Sequence, residues 1–123
     1  MIDKKAYQKM DYALCLLSAR ADGKDSGCII NSFHQVTSSF PAKFTIAVNR
    51  ENVTAAAVEQ AGSFCVTLLA HDAPAALIND FGYRSGRVAD KFSPYEVRRD
   101  EAGNPYLTDS MVSRVSCLSL IHI

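Results

Sequence analysis

The strongest constraint on this chain is the brevity of its apolar runs. DYALCLLSAR (11–20) is strand-like and too short to settle as a helix, and ADGKDSG (21–27), a cluster of turn-forming residues, stops it. GCII (27–30) then resumes the apolar pattern, so these segments read as a hairpin. KFTIAV (43–48), β-branched and aromatic with partial alternation, reads as a further strand. In NVTAAAVEQAG (52–62) the period changes: Val53, Ala57, Val58 and Ala61 make a helical stripe, with Asn52 suited to cap its start and Gly62 to end it. FCVTLLA (64–70) is the next strand. After it, Asp72 can cap a second helix carrying Pro74 in its first turn, where a missing N–H loses no intrahelical bond. Leu77 and Phe81 share one face of that helix and Gly82 closes it. EVRRDEAGNPYL (96–107) reads as a hairpin turning at Glu101–Asn104, and SMVSRVSC (110–117) opens one more strand. The fold class expected is mainly β with short helices (α+β), a small barrel with helices packed outside it.

A length of 123 residues fits one domain, and no repeat or proline-rich linker divides it. Thirteen Lys and Arg balance thirteen Asp and Glu, seven against six up to residue 60 and six against seven after it, so bulk charge argues against nucleic acid as a partner. The longest early apolar stretch, Tyr12–Leu17, is six residues, far below the roughly 20 needed to cross a bilayer, and a cytoplasmic location is expected. Cys15, Cys28, Cys65 and Cys117 lie far apart with no CxxC pair, so they are expected as reduced, mostly buried thiols rather than metal ligands. LSLIHI (118–123) follows with no turn signal. One reverse translation of it, CTG TCT CTT ATA CAC ATC, matches a transposon end used in sequencing-library adapters. The expected division is therefore a domain at 1–117 and read-through at 118–123, which stands apart from the fold.

Three segments could carry chemistry. In SGCIINSFHQVTS (26–38), amide and hydroxyl side chains cluster without an ionised neighbour. Such groups can read the polar edge of a heterocycle while apolar neighbours cover its faces, although an ordinary polar loop has the same letters. VNRENVT (48–54) leads into the Ala-rich helix, where N–H groups favour an anion and Asn49, Arg50, Asn52 and Thr54 add donors. A phosphate fits there, and so does a plain cap beside an exposed arginine. FGYRSGRVADKF (81–92) combines Gly82, Ser85 and Gly86 with Arg84, Arg87 and Lys91, which suits close approach to a ligand or a solvated salt-bridged surface. No GxSxG elbow supports a triad of Ser32, His34 and Asp72, and neither GxGxxG nor GxxxxGK[ST] occurs.

Taken in order, GCIINSFHQVTSSFP, TIAVNRENVT, GSFCVTLL, HDAP and FGYRSGRVADKF resemble the flavin reductase-like family with an FMN-binding split barrel. The resemblance covers roughly residues 7 to 117 and is nearest to stand-alone flavoproteins and to flavin domains fused to rubredoxin. It implies FMN as cofactor, with Asn31, Ser32, Gln35, Val36 and Thr37 along the ring and ribityl chain. It implies Asn49, Arg50, Asn52 and Thr54 near the phosphate, and Ser85, Gly86, Arg87, Lys91 and Phe92 in a loop beside the cofactor. It further implies a homodimer with flavin at the subunit interface, and a barrel incomplete at the C-terminus, because the family domain continues with further strands. The activity implied is hydride transfer from NAD(P)H to FMN with electrons passed onward. The alternative implied is a non-enzymatic FMN module serving a rubredoxin-like partner. The chemistry belongs to the two cofactors, so no acid–base pair is required of the chain.

Overall fold

Asp22 and Gly23, with φ of 53° and 70°, reverse the chain in the computed structural model, which describes Lys5 and residues 13–83, 90–109 and 111–119. This two-residue turn joins β1 (Cys15–Ala21) to β2 (Lys24–Ile30). It is tighter than the ADGKDSG cluster: Lys24, Asp25 and Ser26 enter the ladder opposite Ala21, Arg20 and Ala19. Two left-handed residues suffice for a turn whose twist matches that of its strands.

With β5 (Ser63–Leu69) and β8 (Met111–Leu118) these strands form an antiparallel sheet in the order β2-β1-β5-β8. β1 lies inside the sheet and is covered on both faces, which explains an apolar run without alternation. Cys15, Leu17 and Ala19 pack with Cys28, Ile30, Phe64 and Val66 under Ala57 and Val58 of α1 (Val53–Ala61). Leu16, on the other face, packs with Leu77 and Phe81 of α2 (Ala75–Gly82), Phe92 and Leu107. The expected mainly β fold with short helices is therefore borne out.

α1 starts and stops as its letters predict. Asn52 Oδ1 accepts from the Thr54 N–H at 2.9 Å, and Gly62, at φ 70°, donates its N–H to the Val58 carbonyl at 3.0 Å. α2 differs: Pro74, not Asp72, is its cap residue, and no side chain caps it. The Leu77 and Ile78 N–H groups reach the Pro74 carbonyl instead. KFTIAV also differs, since only Phe44–Thr45 forms a strand (β4), paired with β3 (His34–Gln35). At Ala47 the Ser32 hydroxyl takes both backbone groups, donating to the carbonyl at 2.8 Å and accepting from the N–H at 3.2 Å, in place of a ladder partner. The strand expected from residue 110 runs through Leu118, which pairs with Ser63, and the Ser119 N–H donates to the Gly62 carbonyl.

The hairpin of β6 (Val97–Arg99) and β7 (Pro105–Leu107) turns where expected, and buried polar groups pin it to the sheet. Asn104 accepts from the Arg20 N–H and donates to Ser63 Oγ, each at 3.0 Å, while Asp100 accepts from the Asn104 N–H and from Ser116 Oγ. Asp25 adds a charged tie, accepting from Arg20 Nη1 at 2.7 Å and from Arg99 Nη1 and Nη2 at 2.8 and 2.9 Å. Burial raises the Asp25 carboxyl, but hydrogen bonds and charge from Arg99 and Arg20 outweigh it and hold the group below its ordinary value. Its contribution is therefore complete above pH of about 4 and is lost as pH falls through the lower folded value. Urea midpoints measured from pH 5 down to 2 should fall more steeply in the native protein than in Asp25→Asn. Parallel curves would contradict this.

Three cysteines sit in the core and Cys117 is half-buried; none is disulfide-bonded. Burial, with the nearby Asp100 charge second, pushes the Cys65 thiol up to about 11, so it is neutral and unreactive near pH 7. No helix among the described residues is long and apolar enough to cross a membrane.

Candidate functional site

Beyond Ile30 the ladder stops, and the chain passes through Asn31 and Ser32 to the Ser32–Ala47 tie. That tie holds residues 46–49 beside the end of β2. The chain then folds back before α1: the Asn52 N–H donates to the Asn49 carbonyl, and the Glu51 N–H to Asn49 Oδ1, each at 2.9 Å. Opposite stand Ile78 and Gly82 of α2 and Tyr83 just beyond it, with Leu14 just before β1. Between them lies a cleft of ≈ 460 Å³. This is inside the ~300–1,000 Å³ common for small-molecule sites.

Asn31, Ser32, Asn49 and Asn52, drawn from two segments of the sequence, line this cleft together. Its other walls are apolar, including Ile29, Ile30, Val48 and Ile78, and no ionised side chain is among the described residues that line it. Amides set among aliphatic walls suit a neutral, flat ligand with a polar edge, and the volume admits one.

The remaining expected residues stand elsewhere. Gln35, Val36 and Thr37 lie on the β3–β4 ribbon and are not part of the cleft lining. Gln35 Nε2 donates to the Thr37 carbonyl at 2.9 Å, Thr37 Oγ1 accepts from the Lys43 N–H at 3.1 Å, and Val36 is 60% exposed. Arg50 is exposed in the turn between Asn49 and Asn52, and Thr54 is buried in the first turn of α1. Two N–H groups at that helix start are already engaged, Thr54 by Asn52 Oδ1 and Ala55 by the Asn52 carbonyl. An anion there would depend more on Arg50 and the asparagine amides than on the helix terminus. Lys91 and Phe92 are buried behind the cleft, and Ser85, Gly86 and Arg87 lie outside the described residues.

Sequence reasoning missed Leu14, Cys28, Ile78 and Tyr83. A signal existed for Ile78: it follows the core residue Leu77 and so lies on the stripe beside the buried face. Cys28 forms part of the cleft wall; burial pushes its thiol up, while hydrogen bonding with Thr54 and Asn52 and the Lys91 charge pull it down.

Comparison with known proteins bears on what such a cleft holds. The chain is 32% identical over 108 residues to the high molecular weight rubredoxin of Moorella thermoacetica, covering 88% of this chain and 47% of that one. It is 31% identical over 112 residues to the ferric-chelate reductase (NAD(P)H) of Archaeoglobus fulgidus, covering 91% of this chain and 66% of that one. The chain thus spans about half to two thirds of these relatives. The FMN-binding protein of Thermus thermophilus, solved with bound 1-cyclohex-2-enone, superposes with a TM-score of 0.83 at 15% identity, over 98% of this chain and 66% of that one. At that identity the likeness speaks to the fold, the split barrel of the flavin reductases. The model of the flavin reductase like domain matches residues 7–118, and with nearly the whole chain inside that match, this protein belongs to the flavin reductase-like family.

Proposed function

We propose that the cleft holds FMN and that the protein is an oxidoreductase taking hydride from NAD(P)H and passing electrons to an acceptor. The observation that carries this reading is the meeting of Asn31 and Ser32 with Asn49 and Asn52 in one otherwise apolar cleft. Asn31 is suited to read the polar edge of the ring, with Ile30 and Ile78 as apolar cover, and Asn49, Arg50 and Asn52 are suited to the phosphate. Ser32 shapes the site, since its hydroxyl is bonded both ways to Ala47. Bound FMN supplies the hydride- and electron-transfer chemistry, while the protein orients it and sets its surroundings. The relative named as an NAD(P)H ferric-chelate reductase supports the donor. The relative named as a rubredoxin supports the second reading, an FMN module exchanging electrons with a rubredoxin-like partner.

The proposal extends to a homodimer, in which a partner's ribbon could bring Gln35, Val36 and Thr37 to a cleft they do not reach in their own subunit. Phe40, fully exposed on the same ribbon, supports this.

Anaerobic stopped-flow mixing of the FMN-loaded protein with NADH and NADPH tests the function. Rapid bleaching of the flavin absorbance with either nucleotide is expected; bleaching by reduced rubredoxin alone selects the second reading. Asn31→Leu should weaken FMN by about 1–3 kcal/mol, the cost of a polar group left unpaired. Unchanged FMN affinity in that variant would take the ring edge away from Asn31. Arg50→Ala should weaken FMN more than riboflavin, because only FMN carries the phosphate that a guanidinium binds. Equal losses in a fluorescence titration would move the phosphate elsewhere.

A further inference from the structure

The two principal walls of the cleft are joined from behind by one side chain. Lys91 is buried, 7% exposed, and its Nζ donates to the Gly27 carbonyl at 3.0 Å and to the Phe81 carbonyl at 3.4 Å. Gly27 precedes Cys28 on β2, and Phe81 precedes Gly82 at the end of α2; Cys28 and Gly82 both line the cleft. A cation that donates to a carbonyl in the last turn of a helix sits at the negative end of the helix dipole, and a buried one persists only with polar partners around it. Both conditions hold here. Burial keeps the Cys28 thiol of the cleft wall raised, and the Lys91 charge, after the Thr54 hydrogen bond, pulls against it.

Resting on the FMN reading above, we propose that Lys91 is a positioning residue that raises the reduction potential of bound FMN without touching it. Bound FMN would take up a hydride, one proton with two electrons, from NAD(P)H, leaving NAD(P)⁺, and its reduced ring would be anionic. A fixed ammonium one residue behind each wall favours that anionic form over the neutral oxidised one. The same two hydrogen bonds hold β2 and α2 at one separation, which keeps the cleft shaped for either form.

The test compares K91M, which keeps the apolar stem and removes the charge, with K91R, which keeps the charge. Dissociation constants are measured for oxidised FMN and, under anaerobic conditions, for reduced FMN. K91M is expected to weaken the reduced form about tenfold more than the oxidised form, equivalent to a potential ~30 mV lower for two electrons. K91R is expected to restore most of that difference. Equal weakening of both forms would reduce Lys91 to a brace and overturn the inference while leaving the FMN reading intact. A native protein that binds FMN in neither form would overturn both. If circular dichroism shows K91M unfolded, K91Q, which retains donors for the two carbonyls, is read against the same ratio.

Discussion

Phe81→Ala is expected to lower stability by about 3–5 kcal/mol, the range for removing a buried aromatic side chain. Phe81 is 1% exposed and packs with Leu16, Leu77, Phe92 and Leu107 between α2 and the sheet. Its ring meets Phe92 edge-on with centroids 4.9 Å apart, and lies 5.6 Å from Tyr95. Both neighbours are tethered, which limits how far they can follow an alanine into the space left behind. Phe92 is held by its N–H donating to Asp90 Oδ1, and Tyr95 by its hydroxyl donating to Asp80 Oδ2 at 2.7 Å. Since whole domains are stable by only about 5–15 kcal/mol, much of the total would go. Urea unfolding followed by circular dichroism should show a lower midpoint with an unchanged slope. A loss under about 1 kcal/mol would mean that α2 does not rest on this face of the sheet.

Gly27→Ala should cost about 1–3 kcal/mol, through overpacking instead of a void. A Cβ on Gly27 would lie 2.8 Å from Phe92 Cζ, 3.2 Å from Phe92 Cε2 and 3.3 Å from Phe81 Cδ1. The obstacle is ring carbon in a filled cluster, so relief requires moving Phe92 and with it the segment carrying Lys91. Gly27 is not in a left-handed conformation; the requirement here is room. Phe92→Leu should therefore rescue part of the loss, and the double-mutant cycle should show a favourable coupling of about 0.5–3 kcal/mol. Additive losses would show that the two positions do not meet. The variant also bears on the cleft, since the Gly27 carbonyl holds Lys91 Nζ.

Much of this architecture was legible because its causes are local. Asn52 and Gly62 bracket α1 through hydrogen bonds spanning two and four residues, and Asp22–Gly23 turns the first hairpin within its own backbone. Asn31 and Ser32 stood out as polar groups at the end of an apolar strand, Asn49 and Asn52 as donors leading into a helix, and the four share the cleft. Where the reading failed, another group had taken the expected partner's place, once locally and otherwise from a distance. Asp72 is a good capping residue in a stretch where the Pro74 carbonyl serves the first turn of α2. KFTIAV has strand letters, but Ser32, fifteen residues away, takes the backbone groups of Ala47. Lys91 read as charge either for a ligand or for a solvated salt-bridged surface; nothing in DKF reveals that its Nζ reaches carbonyls 10 and 64 residues off.

Short-range forces, acting through caps, turns and the two- and 3.6-residue periods, were thus encoded in consecutive letters, and with them the element types and the polar half of the site. The sheet order, the apolar wall supplied by Leu14, Ile78 and Tyr83, and the burial of Lys91 came only with packing. Each depends on two helices settling on opposite faces of one sheet. Burial rewards any fit between apolar surfaces, so the particular fit follows from the three-dimensional arrangement and not from any one segment.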